Sequence, residues 1–320
     1  MTEALSPYVF MNGEIVPWAE AKIHIFTPAA KYGAAVFEGI RGYWSEEDDE
    51  MYLFRMAEHA ERFVYSQVAM RFQEIVPPDE MIARTLELVR ANDLRTTVHI
   101  RTTAWVDGNG ELGARGPTGF AVTAVPRALP KRVTEGCRAQ VSSWQRIADE
   151  MSPMRIKCNA NYQNGRLATL QARTDGYDTA ILVNSRGKLA EGPSMCFGMV
   201  RGGRLVTPSV TSDILESITR ETVLKLARDE LGMEVVERDI DRSELYGAQE
   251  AFFCGTGWEV APIVNVDGID LGDGRPGPVV KRLQEVYFDV VYARRADYAD
   301  WRTPVYGTAQ SGATARAAAG

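Results

Sequence analysis

Between residues 56 and 70, Met56, Ala60, Phe63 and Val64 recur at the three- and four-residue spacing of one helix face. The spacing returns at Ile82, Leu86 and Val89, which predicts a helix over 79–91 that ends near Asn92. From 97 to 106 the period changes to two. Val98, Ile100, Thr102, Ala104 and Val106 fall on one side, and His99, Arg101, Thr103 and Trp105 on the other. That alternation predicts a strand with one buried face. The stretch 126–136, PRALPKRVTEG, breaks both patterns with two prolines and a burst of charge, and is the best candidate linker.

Strands are predicted near 138–144, 178–184 and 196–206, the last broken by the hairpin signal Gly202-Gly203. A helix over 217–231 follows from Val223, Leu226, Ala227 and Leu231, with Gly232 placed to end it. A late helix covers about 277–292, and the small, polar tail 308–320 is expected to be disordered. Strands and helices interleave throughout, so the pattern predicts an α/β or α+β protein in two lobes.

Composition narrows the function. A chain of 320 residues has room for about two domains, and 45% hydrophobic with 25% charged residues is ordinary for a soluble globular protein. A net charge of −7 argues against nucleic acid and against a polybasic membrane anchor. No stretch approaches the ~20 apolar residues of a membrane span, and no signal-peptide pattern opens the chain. Cys137, Cys158, Cys196 and Cys254 are scattered, and the histidines are only His24, His59 and His99. No metal site is expected, and the cysteine usage fits a reducing cytoplasm.

Lysine is rare, seven of 36 basic residues, and Lys157 lies in MRIKCNANYQNG beside apolar Ile156. Partial desolvation there would make its amine a usable nucleophile; composition alone favours a surface lysine. Glu191, before Gly192-Pro193, could hold a pyridinium nitrogen protonated or could be a turn glutamate. Ser217, Ile218 and Thr219 open a helix and offer an anion site or a plain cap. Gly255-Thr256-Gly257 after the apolar Ala251-Phe252-Phe253 lets backbone amides approach a ligand, or makes a tight turn. Arg55, after Tyr52-Leu53-Phe54, could grip a phosphate as a planar fork. The isolated Gly-x-Gly supports no dinucleotide fingerprint.

The order of these features resembles the class IV pyridoxal-phosphate enzymes of the branched-chain-amino-acid aminotransferase type. HIFTPAAKYGAAVFEGIRGY, LFRMAEHAERF, VSSWQR, KCNANY, LAEGPSMCFG, TSDILESITRETVLKLA and FFCGTGWEVAPIVNVDG follow in the family's order over about 8–290. The resemblance implies a fold-type IV architecture. It places a small N-terminal α/β domain at 1–124, an interdomain loop at 125–136 and a larger domain at 137–307, with the cofactor between the domains. It also implies a homodimer or a larger set of dimers.

Residue by residue, the resemblance makes Lys157 the Schiff-base lysine and Tyr162 the partner of the cofactor's phenolic oxygen. It makes Glu191 the partner of the pyridine nitrogen and packs Leu215 on the ring. Arg55, Ile218, Thr219 and Thr256 become the phosphate cup. Tyr32, Phe37 and Arg101 match pocket residues. His99 shares the strand face of Arg101, and Gly257 and Trp258 follow Thr256, so these three are also expected to face substrate.

Some positions depart from the family pattern. Glu216-Ser217 replaces Pro-Gly, His99 replaces a tyrosine, Gly257-Trp258 replaces two small residues, and the asparagine common after Glu191 is missing. The expected reaction moves an amino group between leucine, isoleucine or valine and 2-oxoglutarate. The alternatives are a D-amino-acid or (R)-amine transaminase, a lyase of the aminodeoxychorismate type, and a non-catalytic cofactor-binding protein. Retention of Lys157 and Glu191 speaks against the last.

Overall fold

The computed structural model describes residues 6–307; the tail expected to be disordered, 308–320, lies outside the described residues. The chain forms two compact units. Among the described residues the first comprises 6–128, 158–160 and 289–307, and the second 129–157 and 161–288.

In the first unit, strands β1 (Tyr8–Met11), β2 (Glu14–Pro17), β3 (Ala35–Ser45), β4 (Glu50–Phe54), β5 (Val98–Val106) and β6 (Thr118–Pro126) make one sheet with a C-terminal strand, Arg302–Pro304. The order is the C-terminal strand, β4, β3, β5, β6, β1, β2. Helix α1 is Pro28–Tyr32, α2 is Met56–Ala69 and α3 is Pro78–Ala91. The inward residues of β5, Val98, Ile100 and Ala104, are fully buried, and they join Ala60, Phe63, Met81 and Leu88 from α2 and α3 in one core. The other β5 face carries exposed Arg101 and half-buried His99 and Thr103. Trp105 departs from this alternation and is only 3% exposed. A side chain at its cross-strand neighbour Gly119 would strike its indole at 2.3 Å, so the glycine makes room for the ring.

One carboxylate locks β3 to α2. Glu38 is fully buried and takes hydrogen bonds from Arg62 at 2.7 and 2.8 Å, with His59 Nδ1 at 2.7 Å. Burial pushes its carboxyl up, and Arg62 and then His59 more than reverse this, to about 2.

The second unit contains helices α4 (Arg132–Glu135), α5 (Tyr162–Thr174), α6 (Ile218–Asp229) and α7 (Arg242–Leu245) and most of α8 (Pro278–Val291). Its strands are β7 (Cys137–Gln145), β8 (Thr179–Val183), β9 (Cys196–Arg201), β10 (Arg204–Thr207), β11 (Val235–Glu237), β12 (Glu250–Gly255), β13 (Glu259–Val266) and β14 (Ile269–Asp270). The sheet order is β11, β10, β9, β12, β13, β7, β8, with β14 on β13. Phe197, Met199, Ala251 and Phe253 from the central strands pack with Ile181 and Ile263 in its core. The Gly202-Gly203 turn joins β9 to β10 with both glycines at positive φ, and Gly232 after α6 is also left-handed.

Residues 289–307 group with the first unit, because Arg302, Thr303 and Pro304 pair with Phe54, Leu53 and Tyr52 of β4. No helix among the described residues is long and apolar enough to cross a membrane.

Candidate active site

Lys157 lies in the segment between β7 and α5, half-buried after Met154 and Ile156, which are 1% and 2% exposed. The segment is braced by buried Asn161, whose amide donates to Pro153 O at 2.9 Å and whose carbonyl accepts from Ser152 Oγ at 2.5 Å. Asp149 Oδ1 accepts from Met154 N at 3.0 Å. Lys157 Nζ then donates to Tyr162 Oη at 2.7 Å, Tyr162 being the first residue of α5.

Glu191 is 3% exposed in the turn before β9. Arg146 Nη2 meets its Oε1 at 2.5 Å, supplying the opposite charge that a buried carboxylate requires. Its Oε2 accepts from Leu215 N at 3.4 Å and from the Cys196 thiol at 3.6 Å. Burial, with the Glu191 charge adding, raises that thiol well above the usual range, so Cys196 serves as a donor. The turn 191–193 packs directly on α5: a side chain at Gly165 would lie 2.4 Å from Pro193 O. Only glycine allows that approach, which brings the helix of Tyr162 against the turn of Glu191.

Ser217 caps α6, its hydroxyl accepting from Arg220 N at 3.2 Å. The amides of Ile218 and Thr219 belong to the first turn, where helix geometry provides no intrahelical acceptor. Thr256, Gly257 and Trp258 form the turn from β12 to β13. Gly257 O accepts from Arg132 Nη2 at 2.9 Å, and the Arg132 guanidinium lies 4.1 Å from the centroid of the Trp258 ring. The indole also packs near Phe253, 5.6 Å between centroids.

The remaining candidates belong to the first unit. Arg55 caps α2, 5% exposed, with its guanidinium against Glu58 and Trp301. Arg101 stacks on Phe37, 3.6 Å from the ring centroid, and donates to Asn159 Oδ1 at 3.2 Å. It stands opposite Gly39 of β3, and the His99 ring lies beside that glycine, 3.4 Å from where a Cβ would be. Tyr32 ends α1, 45% exposed, with its hydroxyl 3.5 Å from Gly110 O.

Within the second unit, then, an amine meets a phenol and an arginine-paired carboxylate meets the Leu215 amide. Residues 35–266 match the sequence profile of amino-transferase class IV. The chain belongs to this family.

As a class IV aminotransferase it is 39% identical over 309 residues to a probable branched-chain-amino-acid aminotransferase of Aquifex aeolicus, with 93% of this chain and 97% of the relative covered. The branched-chain amino acid aminotransferase of Thermobaculum terrenum, solved in its PLP form, is 43% identical with a TM-score of 0.88, covering 94% of this chain and 99% of that one. A T.th. branched-chain amino acid aminotransferase, complexed with N-(5'-phosphopyridoxyl)-L-glutamate, is 35% identical with a TM-score of 0.89, covering 94% and 99%.

Motif reading of this aminotransferase missed the partners. Arg146 ends the VSSWQR run but nothing in that run points to Glu191. Cys196 read as a scattered cysteine, Asn159 as part of KCNANY, and Trp301 belonged to no motif.

Proposed function

We propose that the protein is a branched-chain-amino-acid transaminase, exchanging an amino group between L-leucine, L-isoleucine or L-valine and 2-oxoglutarate, with pyridoxal phosphate carried on Lys157. The observation that carries this reading is the 2.7 Å contact between Lys157 Nζ and Tyr162 Oη. An amine and a phenol so placed match the aldehyde carbon and the neighbouring ring oxygen of that cofactor. The rest of the donor set also fits: a buried carboxylate for a ring nitrogen, and an arginine with a capped helix start for a phosphate. When bound, the cofactor supplies an electron sink for the bonds at the substrate α-carbon.

The chain's own groups do the rest. Lys157 Nζ takes the proton from the α-carbon and returns it as a general acid–base. Glu191, held by Arg146, would face the ring nitrogen of the bound cofactor and favour its charged form, and Leu215 would line its ring. Arg55, the amides of Ile218 and Thr219, and Thr256 hold the phosphate. Arg101 and the Gly257 amide take the substrate carboxylate, since a charge leaving water needs a compensating cation or oriented amides. Tyr32, Phe37, His99 and Trp258 set the side-chain pocket. Glutamate in the ligand of the T.th. relative supports a pocket that also accepts the 2-oxoglutarate partner. A homodimer working in the cytoplasm completes the reading.

Borohydride reduction followed by peptide mapping tests the assignment. The pyridoxyl label is expected on Lys157; a label on Lys131 or Lys188 refutes it. Turnover with L-leucine should require a 2-oxo acid acceptor, and turnover without one would favour a lyase.

A further inference from the structure

Arg55 is held more firmly than a surface arginine beginning a helix would be. Its backbone, at φ 53° and ψ 40°, is left-handed, a region costly for a residue with a Cβ. What fixes it there is Trp301. Arg55 N–H donates to Trp301 O at 2.7 Å, and the Arg55 guanidinium lies 4.7 Å from the centroid of the Trp301 ring. One residue of the C-terminal segment therefore holds both the main chain and the side chain of Arg55. Glu58, one turn along α2, takes the Nε hydrogen.

Trp301 is itself anchored. Its ring packs on Tyr298, 4.7 Å between centroids, and on Phe54, 6.0 Å away and nearly perpendicular. The next residue, Arg302, pairs with Phe54 in the sheet and donates to Val290 O and Arg295 O, each at 2.8 Å. The indole is thus a fixed platform on which Arg55 lies with little rotamer freedom.

We infer that Trp301 is a positioning residue for the cofactor phosphate: it preorders Arg55, so that the phosphate meets a cation already in place. The inference rests on the reading that Arg55 binds that phosphate. An immobilised, rotamer-rich side chain and a partly desolvated cation–π contact together correspond to about a 5- to 30-fold gain in affinity. The gain should be confined to ligands that carry the phosphate.

The test uses full-length protein stripped of cofactor and titrated with pyridoxal 5'-phosphate and, separately, with pyridoxal. Trp301→Leu is expected to weaken pyridoxal phosphate about 5- to 30-fold while changing pyridoxal less than about twofold. Trp301→Phe, which keeps a ring face, should recover part of the loss. A tetrafluorinated tryptophan at position 301 keeps the shape, weakens the ring's attraction for a cation, and should reproduce part of the Leu effect without a folding defect. Arg55→Ala separates the two ideas, because it should lower the preference for the phosphorylated ligand further still. If Arg55→Ala leaves that preference unchanged, the phosphate reading of Arg55 fails and the inference falls with it. If Arg55→Ala lowers it but the Trp301 variants weaken both ligands equally, or neither, then Trp301 is only a structural residue and the inference is overturned.

Discussion

Replacing Glu38 by glutamine isolates one buried charge in the first unit. In the wild type the carboxyl is fully buried and its value falls from the ordinary 4.5 to about 2, since Arg62 and His59 outweigh the burial that pushes it up. Each factor of ten in acidity is worth about 1.4 kcal/mol, so the ionised form is linked to roughly 3 kcal/mol of folding stability. That agrees with the roughly 3–5 kcal/mol lost when one partner of a buried ion pair is removed. A carboxyl whose folded value is depressed stabilises above its unfolded value, and the contribution is lost as pH falls through the folded value. Wild-type stability should therefore lose this contribution between about pH 4.5 and pH 2, while Glu38→Gln lacks it throughout. The two stabilities should differ by about 3 kcal/mol at pH 7 and converge near pH 2. Hydrogen exchange read by mass spectrometry over β3 and α2 resolves the local opening, where about 3 kcal/mol corresponds to roughly 150-fold faster exchange at pH 7. A difference below about 1 kcal/mol, or one that stays constant down to pH 2, would refute the assignment of this stability to the Glu38 charge.

Other perturbations follow from the second unit. Glu191→Gln should keep the cofactor bound but slow removal of the α-proton, because an amide cannot hold the ring nitrogen charged; unchanged stopped-flow rates with L-leucine would remove Glu191 from that role. Ser217→Ala should lower stability by about 0.5–2 kcal/mol in urea through loss of the α6 cap; a midpoint equal to wild type would show the cap to be energetically silent. All four cysteines are buried, and burial lifts Cys137 and Cys254 to about 12. A disulfide reagent at pH 8 should leave the native protein nearly unlabelled and label it fully in urea, and rapid native labelling of either residue would contradict their burial. L-leucine should convert the cofactor faster than D-alanine or (R)-1-phenylethylamine, with only modest discrimination among leucine, isoleucine and valine, since one methylene is worth about 1–3 kcal/mol. A faster reaction with D-alanine would favour the D-amino-acid alternative.

Local pattern was enough wherever one element carried its own period. The alternation of β5, the apolar faces of α2 and α3, the Ser217 cap and the Gly202-Gly203 turn are all written within a dozen residues. Contacts between distant segments were not legible. Arg146 and Glu191 are joined by a salt bridge that neither neighbourhood announces, and the Glu38–Arg62–His59 cluster joins a strand to helix residues 21 and 24 positions on. Arg55 could be seen to begin a helix, but its left-handed backbone depends on Trp301, which no period marks. The sequence around Trp258 likewise did not show that its ring would meet Arg132 and Phe253. The order of short motifs carried the family because each motif is local even though the site is not.

The C-terminal strand, Arg302–Pro304, sets a schedule for biosynthesis. Its partner β4 leaves the ribosome early, but the strand that covers its edge, Arg302–Pro304, is made only after the whole second unit, some 248 residues beyond Phe54. At roughly 5–20 residues per second, β4 waits about 12–50 s with an open edge. That edge belongs to the apolar run Met51-Tyr52-Leu53-Phe54, the kind of sequence that pairs with other nascent chains. The first unit is begun first and finished last, so its sheet keeps that edge open until Arg302–Pro304 emerges.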